Sequence, residues 1–189
     1  MKNIAIFASG SGTNAENIAR YFESHPRIHV NLILSNKPEA YVIKQAKNLN
    51  IPTVTFNQKE LSQKEKILPV LEDNKIDLIV LAGFLLLIPK YLIESYPNSI
   101  INIHPALLPN YGGKGMYGDR VHKAVLDNEE QESGITIHYV NEHYDEGNII
   151  FQKKCPVYSE DTPETLAKRI HKLEHEYYPR IIEKLLQQE

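Results

Sequence analysis

The sequence contains a single cysteine, Cys155, among its 189 residues. One thiol excludes an internal disulfide and a zinc site built from cysteines alone, and it fits a reducing compartment. No stretch approaches the roughly 18 apolar residues of a membrane-spanning helix. The apolar run from Ile4 to Ala8 is also shorter than the roughly 7–15 residues of a secretory signal core. We therefore expect a cytoplasmic protein without a membrane partner.

The chain also lacks an excess of positive charge. Lys and Arg number 21 against 24 Asp and Glu, which gives a net charge of -3. Without a global positive field we expect no nucleic-acid partner, and an anionic small molecule must be held by local geometry. Hydrophobic residues make up 42% and charged residues 24%. This composition and this length predict one globular domain, 1–189.

Short apolar segments alternate with helical ones in the first half of the chain. Strands are predicted at Ile4–Ala8, Val30–Leu34, Thr53–Phe56, Asp77–Ala82 and Ser99–Ile103. Helices are predicted between them, the first capped by Thr13 or Asn14 and the others over 40–48, 63–73 and 90–95. The alternation predicts an α/β fold with a doubly wound, mostly parallel sheet in Rossmann-like order.

The pattern changes after Pro105. A glycine-rich loop at 112–115 and a helix around 120–126 precede two successive strands, at 135–140 and 149–157, which we expect to form an antiparallel C-terminal pair. A long helix is predicted from Pro163 to Gln187, and Pro179 should bend or divide it.

The turn after the first strand consists of small residues. Backbone N–H groups at the start of a helix can bind an anion, so Gly12, Thr13 and Asn14 form a candidate phosphate site. The turn lacks the third glycine of G-x-G-x-x-G, because position 15 is alanine, and it lacks the Lys of a nucleotide P-loop. A dinucleotide fold or a kinase is therefore disfavoured. A tight turn without a ligand is the alternative.

Asn102 and His104 lie two residues apart at the carboxyl end of a predicted central strand, and thus on one side of it. An amide and an imidazole side by side can stabilise an oxyanion and move a proton, as acyl transfer requires. A histidine that only binds a loop is the alternative. Asp145 lies in the turn between the last two strands, where a solvated acid is the ordinary assignment.

Residues 171–175 match the H-x-x-E-H pattern of one class of zinc peptidases. A catalytic zinc needs a third protein ligand. Only 14 residues follow His175, on the same or a continuing helix. We therefore expect no metal.

Four segments together resemble the phosphoribosylglycinamide formyltransferase family, the folate-dependent enzymes of purine synthesis. They are 9–14 (SGSGTN), 81–84 (LAGF), 102–109 (NIHPALLP) and 145–147 (DEG). The resemblance covers nearly the whole chain and implies the formyltransferase fold. It implies transfer of the formyl group of 10-formyltetrahydrofolate, as co-substrate, to the amine of 5-phosphoribosylglycinamide. Another transferase or hydrolase that uses the same donor is the alternative.

The same resemblance implies roles for individual residues. Asn102, His104 and Asp145 become the catalytic set, Gly12, Thr13 and Asn14 bind the substrate phosphate, and Glu174 holds the amino end of the substrate. The folate site comprises Leu85, Leu86, Leu87, Ile88, Asn141, Glu142, His143 and Tyr144. An Arg that is common after Gly-Phe in this family is absent here. Lys114 is a candidate cation for the phosphate or the folate tail.

The implied mechanism is direct attack of the amine on the formyl carbon through a tetrahedral intermediate. Asn102 and a protonated His104 are expected to donate to the oxyanion. Asp145 is expected to orient His104, or a water that carries the proton, and to raise the pKa of His104.

Overall fold

The computed structural model describes residues 1–187, with seven strands in one sheet. They are β1 (Lys2–Phe7), β2 (Ile28–Ser35), β3 (Thr53–Thr55), β4 (Leu78–Leu81), β5 (Ile100–His104), β6 (Glu132–Tyr139) and β7 (Ile149–Pro156). The order is β3-β2-β1-β4-β5-β6-β7. β1 to β5 pair in parallel, whereas β6 is antiparallel to both neighbours. The predicted topology, including the antiparallel pair, is confirmed.

Seven helices accompany the strands within 1–187. They are α1 (Thr13–Phe22), α2 (Tyr41–Asn48), α3 (Gln58–Leu61), α4 (Lys64–Asp73), α5 (Lys90–Ser95), α6 (Asp119–Asp127) and α7 (Pro163–Gln187). The sequence did not predict α3, because four residues are too few to show a helical period. Its signal is a capping box between Asn57 and Glu60. α7 continues through Pro179 and is not divided.

Both faces of the sheet are covered. Ile4 and Ile6 of β1 belong to a core that includes side chains of α1, α2 and α7, which we call the first core. Ala5 and Phe7 belong to a second core that includes side chains of α4 and α5. Successive strand residues point to opposite faces, so a strand buried on both sides must be continuously apolar. This requirement explains the apolar run at the start of the chain.

The carboxyl ends of β4 and β5 are tied to α7 by one buried side chain. The Tyr178 hydroxyl lies 2.9 Å from the Leu81 carbonyl oxygen and 3.4 Å from that of Ile101. Tyr178 is fully buried. α7 is therefore held against the edge of the sheet where ligands bind in open α/β folds.

Among the helices of residues 1–187, none has both the length and the apolar composition to cross a bilayer.

Candidate active site

A cavity of about 550 Å³ opens at the carboxyl ends of β1, β4 and β5. Its walls come from the turn after β1, the segment after β4, the loop after β5 and the turn between β6 and β7. α6 contributes His122, and α7 contributes His171 and Glu174. Segments distant in sequence thus meet at the edge where parallel strands end.

The turn before α1 is shaped by Gly12. Its φ of 75° is in the left-handed region, and a Cβ there would lie 2.5 Å from Val42 Cγ2 of α2. Gly12 is the N-cap of α1, and no side chain caps this helix, so the predicted cap by Thr13 or Asn14 is wrong. The first N–H groups of a helix have no partner inside it. They remain at the cavity as anion donors.

Asn14 is hydrogen-bonded to Glu174 of α7 and does not cap α1. Its Nδ2 donates to Glu174 Oε2 at 2.9 Å. Glu174 is 6% exposed, and burial raises the pKa of its carboxyl, opposed in part by the Asn14 hydrogen bond. The Asn14 Oδ1 atom is buried without a partner among the described residues. The phosphate turn and Glu174 therefore form one end of the cavity.

Asp145 is the centre of the polar cluster at the other end. Its Oδ1 lies 3.4 Å from Asn102 Nδ2 and 3.6 Å from His138 Nε2. Its Oδ2 lies 3.5 Å from His104 Nδ1 and accepts from the Gly113 N–H at 3.0 Å. The Asp145 side chain is only 10% exposed. The structure thus brings together the three residues that the sequence singled out for chemistry.

The electrostatics of this cluster differ in part from the expectation. Burial lowers the pKa of His104 below its ordinary value and outweighs the raising effect of Asp145. The carboxylate therefore acts in the predicted direction, but the expected net rise in the pKa of His104 is wrong. Burial also pushes the pKa of Asp145 upward, yet the His138 side chain, the charge of His104 and the hydrogen bond from the Gly113 N–H together lower it. Asp145 is ionised at neutral pH.

His104 donates a hydrogen bond through Nε2. Its Nε2 lies 2.7 Å from the Tyr111 carbonyl oxygen, which can only accept, so Nε2 carries a proton. Nδ1 then faces the Asp145 carboxylate. This arrangement fixes the ring and leaves Nδ1 as the position where a second proton would bind.

Sequence reasoning missed His138. It lies on β6 directly opposite Asn102 of β5, and its Nε2 is 3.2 Å from Asn102 Nδ2. Its Nδ1 is 2.8 Å from the Tyr139 carbonyl, so Nδ1 carries the proton and Nε2 accepts from the amide. A buried histidine in an apolar strand was the available signal, but the strand register was needed to place it.

The predicted folate residues separate into two groups. Leu85, Leu86, Leu87, Ile88, His143 and Tyr144 line the cavity, whereas Asn141 and Glu142 are not part of its wall. Asn141 Oδ1 accepts from the His143 N–H at 2.9 Å. Glu142 lies 3.5 Å from Lys90 Nζ. The wall from Leu85 to Ile88 carries no charged side chain and suits a flat apolar ring.

The H-x-x-E-H segment does not line the cavity as a unit. His171 and Glu174 line the cavity, and His175 does not. Within residues 1–187, no three His, Cys, Asp or Glu side chains are grouped to hold a metal ion.

Comparisons with known proteins relate this geometry to one family. The formyl transferase family model matches residues 2–182. A phosphoribosylglycinamide formyltransferase of Bacillus subtilis is 40% identical over 191 residues, which cover 98% of this chain and 95% of that protein. The chloroplastic phosphoribosylglycinamide formyltransferase of Arabidopsis thaliana is 40% identical over 96% of this chain. This chain spans 64% of the length of the Arabidopsis protein.

Solved structures give the same relation. A crystal structure of phosphoribosylglycinamide formyltransferase from Bacillus halodurans has a TM-score of 0.88 and 37% identity, covering 98% of this chain and 95% of that one. The structure from Anaplasma phagocytophilum has a TM-score of 0.90 at 34% identity and covers 98% of this chain and 87% of that one.

Proposed function

Because the chain belongs to the formyl transferase family, we propose that it transfers the formyl group of 10-formyltetrahydrofolate to the amine of 5-phosphoribosylglycinamide, in de novo purine biosynthesis. One observation carries the proposal. The carboxylate of Asp145 lies within 3.6 Å of Asn102, His104 and His138, in a cavity that also holds the start of α1. An anion site and an acyl-transfer site thus share one space.

The ribonucleotide would bind with its phosphate at Gly12, Thr13 and Asn14, where helix N–H groups are available. Glu174 is hydrogen-bonded to Asn14, at the phosphate end of the cavity. The amine must reach the formyl carbon beside Asn102 and His104. We therefore assign Glu174 to accept a hydrogen bond from a ribose hydroxyl rather than to hold the amino end, which revises the expectation from sequence.

The reaction would form a bond between the amine nitrogen and the formyl carbon and break the bond from that carbon to the folate nitrogen. Asn102 and His104 would donate to the oxygen as it becomes negative. His104 would take its second proton at Nδ1 from solvent before the amine attacks and keep it afterwards, so that this N–H donates to the oxygen. The oxyanion and Asp145 both favour this imidazolium. Asp145, ionised, would guide the proton from the amine to the folate nitrogen, directly or through water.

The folate would lie with its pterin ring against the apolar wall from Leu85 to Ile88. His143 and Tyr144, in the turn between β6 and β7, line the same cavity. The Arg that the resemblance leads one to expect after Gly83-Phe84 is absent from Leu85, Leu86 and Leu87. The pterin is therefore bound mainly by apolar contact and by backbone groups.

We also propose that residues 1–189 form one formyltransferase domain that acts in the cytoplasm. The family match over 2–182 and the single seven-stranded sheet support the first statement. Cys155, a buried free thiol, supports a reducing compartment.

The test is a product assay. Purified protein is incubated with 10-formyltetrahydrofolate, with and without 5-phosphoribosylglycinamide, and the products are identified by mass spectrometry. We expect formylated ribonucleotide only when both substrates are present. Release of formate at the same rate without the ribonucleotide would instead show a hydrolase, the alternative function.

A further inference from the structure

Two cations on the cavity wall form no ion pair with an acidic side chain of residues 1–187. Lys114 and Arg120 both line the cavity, from the loop after β5 and from the first turn of α6. Neither forms an ion pair with a carboxylate of residues 1–187. Within residues 1–187, the Arg120 guanidinium donates a hydrogen bond to the Gly115 carbonyl oxygen at 3.5 Å and lies 5.0 Å from the centre of the Tyr117 ring. Most of its donors remain available.

The acidic residues of the cavity do not neutralise these cations. Asp145 and Glu174 are the Asp and Glu side chains in its wall. Asp145 is engaged with Asn102, His104, His138 and Gly113, and Glu174 is engaged with Asn14. A chain with a net charge of -3 therefore keeps two uncompensated positive charges at its cavity.

The backbone around Lys114 is built from glycine. Gly113 and Gly115 have φ values of 96° and 89°, in the left-handed region that other residues rarely adopt. A Cβ at Gly113 would meet nothing within 4 Å, so conformation and not space requires the glycine. The residues on both sides of Lys114 thus have backbone conformations that favour glycine.

His122, two residues after Arg120 on α6, has a buried nitrogen without a hydrogen-bond partner among residues 1–187. His122 is 2% exposed and lines the same cavity. Its Nδ1 has no hydrogen-bond partner in the described part of the chain. Buried polar atoms are normally paired with protein, water or ligand. The atom is thus available to a polar molecule that enters the cavity.

These cations could bind either the phosphate of the ribonucleotide or the carboxylates of the folate tail, and the side of the sheet on which α6 packs distinguishes the two. Val125 of α6 lies in the first core with side chains of α1 and α7. The wall expected to bind folate, through Phe84 and Ile88, belongs to the second core. α6 is therefore on the side of the phosphate turn. The phosphate of the ribonucleotide fits this position better than the carboxylates of the folate tail.

We infer that Lys114 and Arg120 bind the substrate phosphate across from the start of α1 and select a phosphorylated acceptor. The inference rests on the proposed function for the identity of the substrate. Charge-assisted hydrogen bonds to an anion contribute roughly 1.5–3 kcal/mol each, about a ten- to hundred-fold effect on binding. The two residues thus determine specificity and take no part in the proton transfer.

The experiment uses three test variants, Lys114→Gln, Arg120→Gln and the double variant that carries both substitutions. The control is Lys123→Gln, because Lys123 is an exposed lysine of α6 outside the cavity wall. We expect KM for the ribonucleotide to rise about ten- to hundred-fold per substitution. kcat and KM for the folate should stay within a few-fold, as should all constants of Lys123→Gln. The conservative variant Lys114→Arg should retain most of the affinity for the ribonucleotide.

A calorimetric titration with inorganic phosphate keeps the inference testable without turnover. Phosphate should bind the parent protein and bind the double variant at least ten-fold more weakly. If the parent protein binds phosphate more tightly than the double variant but transfers no formyl group, the proposed function is rejected while the phosphate site at Lys114 and Arg120 is supported. Equal phosphate binding by both proteins would overturn the inference, as would a rise in KM confined to the folate, which would assign the cations to the folate tail.

Discussion

Asp145 is ionised although its side chain is almost buried. Burial alone would raise its pKa, but the His138 side chain, the charge of His104 and the hydrogen bond from Gly113 favour the carboxylate. Its own backbone is left-handed, with a φ of 58°, which Asp tolerates better than most residues. The connection between β6 and β7 thus directs the acid into the cavity wall, whereas a solvated turn residue would point to water.

Asp145→Asn tests this carboxylate. The substitution keeps the size and removes the charge that raises the pKa of His104, so that pKa should fall further. We expect kcat to fall steeply while KM for both substrates stays within a few-fold, because the interaction strengthens in the transition state. Steady-state kinetics and an NMR titration of His104 measure the two effects. A normal kcat with an unmoved titration would remove Asp145 from the mechanism.

Asn102→Ala tests the oxyanion donor. Loss of one such donor typically lowers turnover by on the order of 100- to 1,000-fold. Binding of either substrate should change little, because the negative charge on the formyl oxygen appears only during the reaction. The variant also leaves His138 Nε2 without the amide at 3.2 Å. Single-turnover kinetics separate the chemical step from binding, and near-normal turnover would contradict the assignment.

His122 predicts how stability depends on pH. Burial lowers the pKa of its imidazole to about 4 from an ordinary 6.5. The unfolded chain therefore binds this proton more readily, and stability falls as pH decreases from 6.5 to about 4. The shift corresponds to at most about 3 kcal/mol.

Urea unfolding at several pH values measures this dependence. His122→Gln should flatten the slope of unfolding free energy against pH by up to one proton in that range. The control is His29→Gln, on β2 and outside the cavity wall. An equal slope for His122→Gln and the parent protein would contradict the prediction.

At the scale of elements, the start of α1 serves packing as well as binding. A Cβ at Gly12 would lie 2.5 Å from Val42 Cγ2 and 2.7 Å from Gln45 Oε1, both on α2. The turn is thus pressed against the next helix. The same glycine that opens the phosphate site also allows α1 and α2 to approach each other.

Gly12→Val should therefore destabilise the whole fold. The sequence alone suggests only that this substitution weakens phosphate binding. We expect a loss of roughly 1–3 kcal/mol or more from overpacking, with further strain from the left-handed backbone. Chemical denaturation measures it. Gly10→Ala is the matched control, because a Cβ at Gly10 meets nothing within 4 Å. Wild-type stability in Gly12→Val, with only phosphate binding impaired, would show that Gly12 is needed for binding and not for packing against α2.

At the scale of the molecule, the sheet gathers the chemistry at one edge. β4 and β5 end beside each other, and α7 is tied to both by Tyr178. The catalytic cluster and the phosphate turn thus come from segments spread along the chain. Rigid strands hold such groups more accurately than long loops can.

The arrangement predicts a reaction that needs no metal ion. Amide, imidazole and carboxylate groups suffice to stabilise the oxyanion and to move one proton. Activity should survive exhaustive dialysis against a chelator, measured by formylated product. A stoichiometric metal in the purified protein, lost together with activity and restored on its return, would contradict this.

The sequence by itself determined the alternation of strands and helices, the doubly wound class and the residues most suited to chemistry. These are local properties, because a strand covered on both faces must be apolar and a helix must repeat with its own period. Gly12, Asn102 and His104 could therefore be singled out from their immediate neighbours.

The tertiary structure alone decided which groups meet. His138 faces Asn102 across 36 residues of chain, and Asn14 reaches Glu174 across 160. Strand register and helix packing set these pairs, and neither is written in a local pattern. The same holds for the pKa of His104, since the balance of burial against the Asp145 carboxylate exists only once the chain has enclosed both groups.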